Sequence, residues 1–268
     1  AHAVSLARLG MSAAGARAGG GARRTELVSY AGLRADGRRP HETRSIRTRL
    51  GFLRTADGSV LFELGQTRIL AAVFGPCESA RRSEQQHDRA HLHVDVSMTP
   101  FALPERRKHR VGDRRLAEIG LAVRRSLPQA VMSHLYPRSE VRLHLQILTS
   151  DGGDLAACVT AATLAVMDAG VAMTDFVVGC TAAVVDGRVL MDPTQAEASA
   201  ATAVIHLAVL PRSRRVVLCQ VASRIAADEL RDAVGAASDG AVGVFGVVKA
   251  AVHDHAVKRL SKRGLLTA

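Results

Sequence analysis

The chain has 268 residues, 47% apolar and only 3% aromatic, with a net charge of +11 and a pI near 10.6. Its length can bury a core without staples, and four scattered cysteines (Cys77, Cys158, Cys180, Cys219) with no C-x-x-C pair argue against a disulfide scaffold or a zinc cluster. No uninterrupted apolar run approaches the roughly 18 residues of a membrane span and no signal-peptide pattern is present, so the expectation is a soluble protein with a polyanionic partner.

Residues 1–30 form a basic Ala/Gly/Arg segment carrying +3 of the charge, with too little apolar periodicity to order itself, and Met11 within it reads residues 1–10 as an upstream extension. The remainder keeps +8. Lysine is confined to Lys108, Lys249, Lys258 and Lys262, which leaves the charge to arginine, the better bidentate ligand for phosphate.

Alternating apolar residues predict strands over 45–54, 59–64, 67–74 and 90–98, with Asp57-Gly58 as a hairpin turn and an antiparallel meander as the result. A helix is predicted over 114–135, where Leu116, Ile119, Val123, Leu127 and Val131 recur at helical spacing before Pro137. A strand over 139–148 follows, then a helix over 153–168 with a narrow stripe of Cys158, Ala161, Ala162 and Ala165, ended by Gly170. Strands at 175–185 and 188–191 turn at Asp186-Gly187, and strands at 202–210 and 214–222 turn across Pro211. A last helix spans 226–263. Hairpins alternating with single helices predict an α+β fold with a mixed sheet, with 170–175 as the seam between two lobes.

The segment Thr149-Ser150-Asp151-Gly152-Gly153-Asp154-Leu155 carries the most information. It passes from strand to helix, where free N–H groups favour an anion. Asp154 in that first turn suits the helix dipole yet repels phosphate, so the turn reads as a phosphate pocket given over to structure. His91, His93 and Asp95 share one strand face and could hold a metal, but with Leu92, Val94 and Val96 opposite they read as the wet side of a half-buried strand, and no metal is expected. His253, His255, Lys258, Arg259, Lys262 and Arg263 end the last helix in positive charge that complements its dipole.

The ordered set Leu33-Arg34-Ala35-Asp36-Gly37-Arg38-Arg39-Pro40, Asp113-Arg114-Arg115, Leu148 to Gly153, Met167-Asp168-Ala169-Gly170, Asp186-Gly187 and Leu190-Met191-Asp192-Pro193 resembles the RNase PH family. Within it the chain looks most like the exosome core ring subunit of the 41 type, in its eukaryotic form. The resemblance covers roughly residues 31–260. It implies an RNase PH fold, of the ribosomal protein S5 domain 2-like kind, with one lobe over 31–172 and a second over 173–263.

It further implies a ring of RNase PH-like subunits, including a 45-type partner, with cap proteins above and RNA threading the pore. The implied partner is RNA, with no DNA and no membrane, and the implied locations are nucleus, nucleolus and cytoplasm. By the same resemblance, Arg114 and Arg115 grip the RNA backbone, and adjacent guanidinium groups at a helix start can fork onto successive phosphates. Arg81 and Arg82 match basic residues in the pore, although an exposed loop gives an equally good account of them.

Asp192 matches the family's principal catalytic carboxylate, which would assist proton transfer. Its expected partner six residues on is Ala198, with Glu197 beside it facing another way. At the Gly152-Gly153 turn the active pattern has a hydroxyl and an arginine, where this chain has Asp154 and Leu155. Two departures fall on one chemical step, and a phosphoryl-transfer site without its cation loses its main electrostatic term. The reading is therefore a ring subunit that supports 3′-to-5′ RNA processing without phosphorolysis and without a cofactor. The alternative is an active phosphate-dependent 3′-to-5′ exoribonuclease, for which inorganic phosphate would be the co-substrate.

Overall fold

A computed structural model describes residues 28–29, 32–78, 86–106 and 112–262. Strands β1 (Ile46–Leu50), β2 (Gly58–Leu64) and β3 (Thr67–Glu78) form the expected antiparallel meander, tightened by the left-handed Gly65 between β2 and β3. The fourth strand leaves it. β4 (His91–Met98) pairs parallel with β5 (Ser139–Thr149), which itself lies antiparallel against β3, so the order is β1-β2-β3-β5-β4. Helix α1 (Arg114–Ser126) is the crossover that a parallel pair needs.

Of the boundaries that differ from the sequence pattern, three have a local reason. β1 stops at Leu50 because Gly51 turns the chain at a φ of +67°. Gly58 is the first residue of β2 rather than part of a turn, and a Cβ there would lie 2.3 Å from the Ala165 carbonyl. α1 ends at Ser126 instead of 135, since Pro128 cannot continue the backbone ladder, and two 3₁₀ turns at Leu127–Gln129 and Ser133–Leu135 replace its last turns.

The second sheet is antiparallel, in the order β7 (Arg188–Met191), β6 (Val178–Val185), β8 (Ala203–Leu210) and β9 (Arg215–Val221). Between the sheets runs α2 (Asp154–Asp168), in contact with β2, β3, β6 and β8. Every residue from Asp154 to Val166 is buried, so the helix is buried all round rather than along one narrow stripe. Its small side chains let the sheets approach, and one continuous apolar core joins both. The connecting segment is pinned: Met132 N–H donates to Ala172 O, Thr174 N–H donates to Ala130 O, and Val171 is buried.

Helix α4 (Ala227–Lys262) lies on the second sheet and reaches back to β1. By length and composition alone it is long and apolar enough to cross a membrane, with a mean hydropathy of 1.3 over its most apolar part. Its inward face of Ala233, Ala237, Gly240, Ala241, Val244 and Val248 is packed in the core. Near its C-terminal end the expected positive charge has a specific partner. Arg259 Nη1 lies 3.0 Å and His255 Nε2 3.4 Å from Asp168 Oδ1, whose other oxygen accepts from Ser59 N–H.

Two glycines test this packing. A Cβ on Gly179 would meet the Ala156 carbonyl at 2.5 Å, backbone against backbone, whereas one on Gly235 meets nothing within 4 Å. Gly179→Ala should lower the unfolding free energy by about 1–3 kcal/mol, and Gly235→Ala should raise it by about 0.5–1 kcal/mol. Urea denaturation with unchanged slope decides both, and a neutral Gly179→Ala would refute the close approach of α2 to β6.

Candidate functional site

The strand-to-helix turn is held from behind by a buried arginine. Arg44 Nε donates to Asp192 Oδ2 at 2.9 Å, Nη2 donates to Oδ1 at 2.6 Å, and the Arg44 backbone N–H donates to Oδ2 at 2.9 Å. The same guanidinium donates to the carbonyls of Asp151 and Gly152 at 2.8 and 3.1 Å. Burial would weaken the cation, and Asp192 overrides it, holding the Arg44 pKa above its ordinary value. Gly152 and Gly153 are both left-handed, at φ of +85° and +70°. A Cβ on the first would strike Gln195 N and Pro193 O at 2.9 Å, and on the second Arg44 Nη2 at 2.9 Å. The glycine pair is thus required by backbone shape and by the second lobe's approach.

A second arginine completes the clamp. Arg34 Nη1 donates to Met191 O at 2.6 Å, Nη2 donates to Asp192 O at 2.9 Å, and the guanidinium forks onto the Glu197 carboxylate. Burial would raise the Glu197 carboxyl, and Arg34 more than offsets it, leaving it below the usual carboxylate range. Glu197 also accepts from Thr194 N–H in a capping box that starts the short helix α3 (Gln195–Ala200). That helix was missed from sequence, although Thr194-x-x-Glu197 is its signal.

In front of the turn opens a cleft of about 290 Å³, between the N-terminal ends of α1 and α2 and the face of the second sheet that carries Thr181, His206 and Gln220. Asp154 lies at its back, 3% exposed, accepting from Ser150 Oγ and from Arg115 Nη2 at 2.8 Å. Leu155, Ala198 and Val204 supply apolar wall. His206 shares a hydrogen bond of 3.1 Å with Thr181 Oγ1, and burial, with Arg115 nearby, lowers its pKa to about 4, so the ring is neutral.

The expected site residues therefore divide. Gly152, Gly153, Asp154, Leu155 and Arg115 converge on the cleft. Arg114 points to solvent, 92% exposed, and pairs with Glu118 at 2.9 Å one turn along α1. Asp192, matched to a catalytic carboxylate, is 3% exposed with both oxygens taken by Arg44, so it is a structural anchor behind the turn. Glu197 faces away from the cleft, as its spacing implied. Arg81 and Arg82 lie outside the described residues. His93 and His144 each contact one oxygen of Asp95, at 3.2 and 3.3 Å, and no group that could hold a metal occurs among the described residues. Arg44, Thr181 and His206 were not singled out from sequence; a lone arginine at a strand's start reads as exposed, and a lone histidine in an apolar strand reads as core.

Comparison with known proteins agrees with this geometry. Domain 1 of the 3′ exoribonuclease family, RNase PH, matches residues 42–172, and domain 2 matches residues 175–240. The chain is 42% identical over 231 residues to exosome complex component RRP41 of Mus musculus, covering 86% of this chain and 94% of that protein. It is 37% identical over 220 residues to exosome complex component Rrp41 of Thermococcus kodakarensis, covering 82% and 88%. In fold it is similar to rice Rrp46, with a TM-score of 0.74 at 21% identity over 82% of this chain and 100% of that one. An Archaeoglobus fulgidus exosome with RNA bound to the active site gives 0.71 at 22% identity over 81% and 92%.

Two measurements probe the site. Arg44→Ala leaves the buried Asp192 carboxylate with Arg38, 3.9 Å away, as its remaining cation and should lower stability by about 3–5 kcal/mol; a loss under about 1 kcal/mol in urea would show the clamp to be idle. His206 gains its proton more readily unfolded, near pH 6.5, than folded, near pH 4. Stability is therefore unaffected by this ring above pH 6.5 and falls as pH drops toward 4, by on the order of 2 kcal/mol given its partly open position. His206→Gln should flatten that slope, and an unchanged slope would mean the ring titrates normally.

Proposed function

Because the chain belongs to the RNase PH family of 3′ exoribonucleases, we propose that it is a core ring subunit of an RNA exosome that binds RNA for 3′-to-5′ processing and contributes no phosphorolysis of its own. The observation that carries the second half is the Asp154–Arg115 pair. The position at the helix N-terminus that would receive phosphate holds an acid, and the arginine facing it is committed to that acid at 2.8 Å. Among the residues lining the cleft the carboxylates are Asp154, bonded to Ser150 and Arg115, and Glu118, paired with Arg114. Neither stands free as a proton donor near a leaving 3′ oxygen, and Ala198 and Val204 offer none.

What remains fits RNA contact. Arg115 is 47% exposed in spite of its partner and Arg114 is exposed beside it, at the end of a helix facing the cleft. In the proposed assembly the chain meets a 45-type subunit, other RNase PH-like subunits and cap proteins; its relatives' names, exosome complex component RRP41, support membership of the complex. It acts in nucleus, nucleolus and cytoplasm, without a cofactor.

The deciding experiment reconstitutes the ring with a 45-type subunit and supplies a 3′-tailed RNA with inorganic phosphate. No nucleoside diphosphate should appear; its phosphate-dependent release would overturn the inactive reading. Because Asp192 holds the fold, Asp192→Asn is not a clean catalytic control, and Asp154→Ser, which frees Arg115, is the better one: it should raise phosphate affinity. Replacing Arg114 and Arg115 by Gln should weaken RNA similarly across sequences and flatten the slope of log affinity against log salt by about one to two units. An unchanged slope would assign both arginines to their intramolecular partners.

A further inference from the structure

At the other end of α1 from the cleft, about 13 Å along the helix axis between Arg115 and Arg124, a second concavity enters the core. Its volume is about 240 Å³. Leu92, Pro128, Val131, Val141, Val166 and Val171 line its interior, drawn from β4, the 3₁₀ turns after α1, β5 and the end of α2. Its mouth is braced: Ala90 N–H donates to Ser133 O at 2.9 Å and Arg138 N–H donates to Gln86 O at 3.1 Å. Arg89 and Arg124 stand on its rim, both exposed, and neither forms an ion pair or side-chain hydrogen bond among the described residues. Among the described residues no acidic side chain lines it; Asp88, the neighbour of Arg89, is not part of the wall.

From this we infer that the concavity is a docking site for a partner protein's linear segment, in which an aliphatic or aromatic side chain fills the apolar interior and flanking Asp or Glu residues meet Arg89 and Arg124. Three features select that occupant. The volume falls below the roughly 300 Å³ at which sites for drug-sized ligands begin, and it suits one or two side chains. The apolar interior under a charged rim matches the buried anchor and polar surround of peptide hot spots. Two cations without partners among the described residues call for acidic flanks, which would quicken association and make it sensitive to salt. A nucleotide is the poorer fit, since among the described residues His91 is the one ring on the wall that could stack a base and the rest of the interior is aliphatic. The site shares no lining residue with the Asp154 cleft, so it stands whether or not phosphorolysis occurs there.

Fluorescence anisotropy on the full-length chain tests the inference, with two labelled peptides, one carrying leucine and one phenylalanine between runs of glutamate. At least one should bind saturably, lose binding when its anchor becomes serine, and weaken about tenfold or more against the exposed double variant Arg89→Glu, Arg124→Glu. Circular dichroism shows that the variant is folded. Saturable binding by neither peptide would overturn the inference, as would affinity unchanged by the charge reversal. An oligouridylate that loses affinity on the reversal while the peptides do not would assign the rim to RNA instead.

Discussion

The bidentate pair between Arg44 and Asp192 is the constraint on which the two-lobed arrangement rests. Arg44 precedes the first strand of one sheet and Asp192 follows the short strand β7 of the other, 148 residues away in sequence. Between them the guanidinium reaches the carbonyls of Asp151 and Gly152, so one buried cation fixes the relation of the lobes and the shape of the turn. Such a pair adds little net stability over an apolar contact, because desolvating two charges offsets their attraction, but leaving either partner alone is costly. Its role is to specify one arrangement. Arg34 repeats the device one layer on, through Glu197 and the carbonyls of Met191 and Asp192.

The same rule of buried charge shapes the front of the turn. A carboxylate 3% exposed at the start of a helix wrapped in apolar side chains needs partners, and Ser150 and Arg115 supply them. Satisfying Asp154 occupies the guanidinium of Arg115. The cleft's electrostatics are closed upon themselves by one side chain, and His206, kept neutral by burial, adds no charge.

Much of this was legible in the sequence, and the exceptions have physical causes. The Gly152-Gly153 turn, the α2 and α4 helices and the second-sheet hairpins follow from period and punctuation, which are local. The parallel pairing of β4 with β5 is not local: nothing in residues 91–98 tells a meander from a crossover until α1 is placed between them. The surroundings of Asp192 were illegible for a related reason. Its position beside Pro193 was right, but the side to which its carboxylate points depends on a left-handed backbone, φ +50°, and on an arginine far away in sequence. Exposure in general was the least legible quantity. Arg44 and Arg34 look like surface cations in sequence and are buried, whereas Arg114 and Arg115, adjacent in the chain, differ by half in exposure.

The anchor and the cleft lie on opposite faces of two glycines. Behind them Asp192, Arg44 and Glu197 make contacts that any substitution disturbs at a stability cost of several kcal/mol. In front, Leu155, Ala198 and Val204 are wall residues whose replacement by polar groups of similar size alters chemistry with little bearing on the clamp. Such a division lets one fold keep its two-lobed shape while the groups facing the cleft change. A carboxylate beside a well-matched motif therefore says little about catalysis until its partners are known. The exposure of its oxygens is the deciding quantity: those of Asp192 are spent on Arg44.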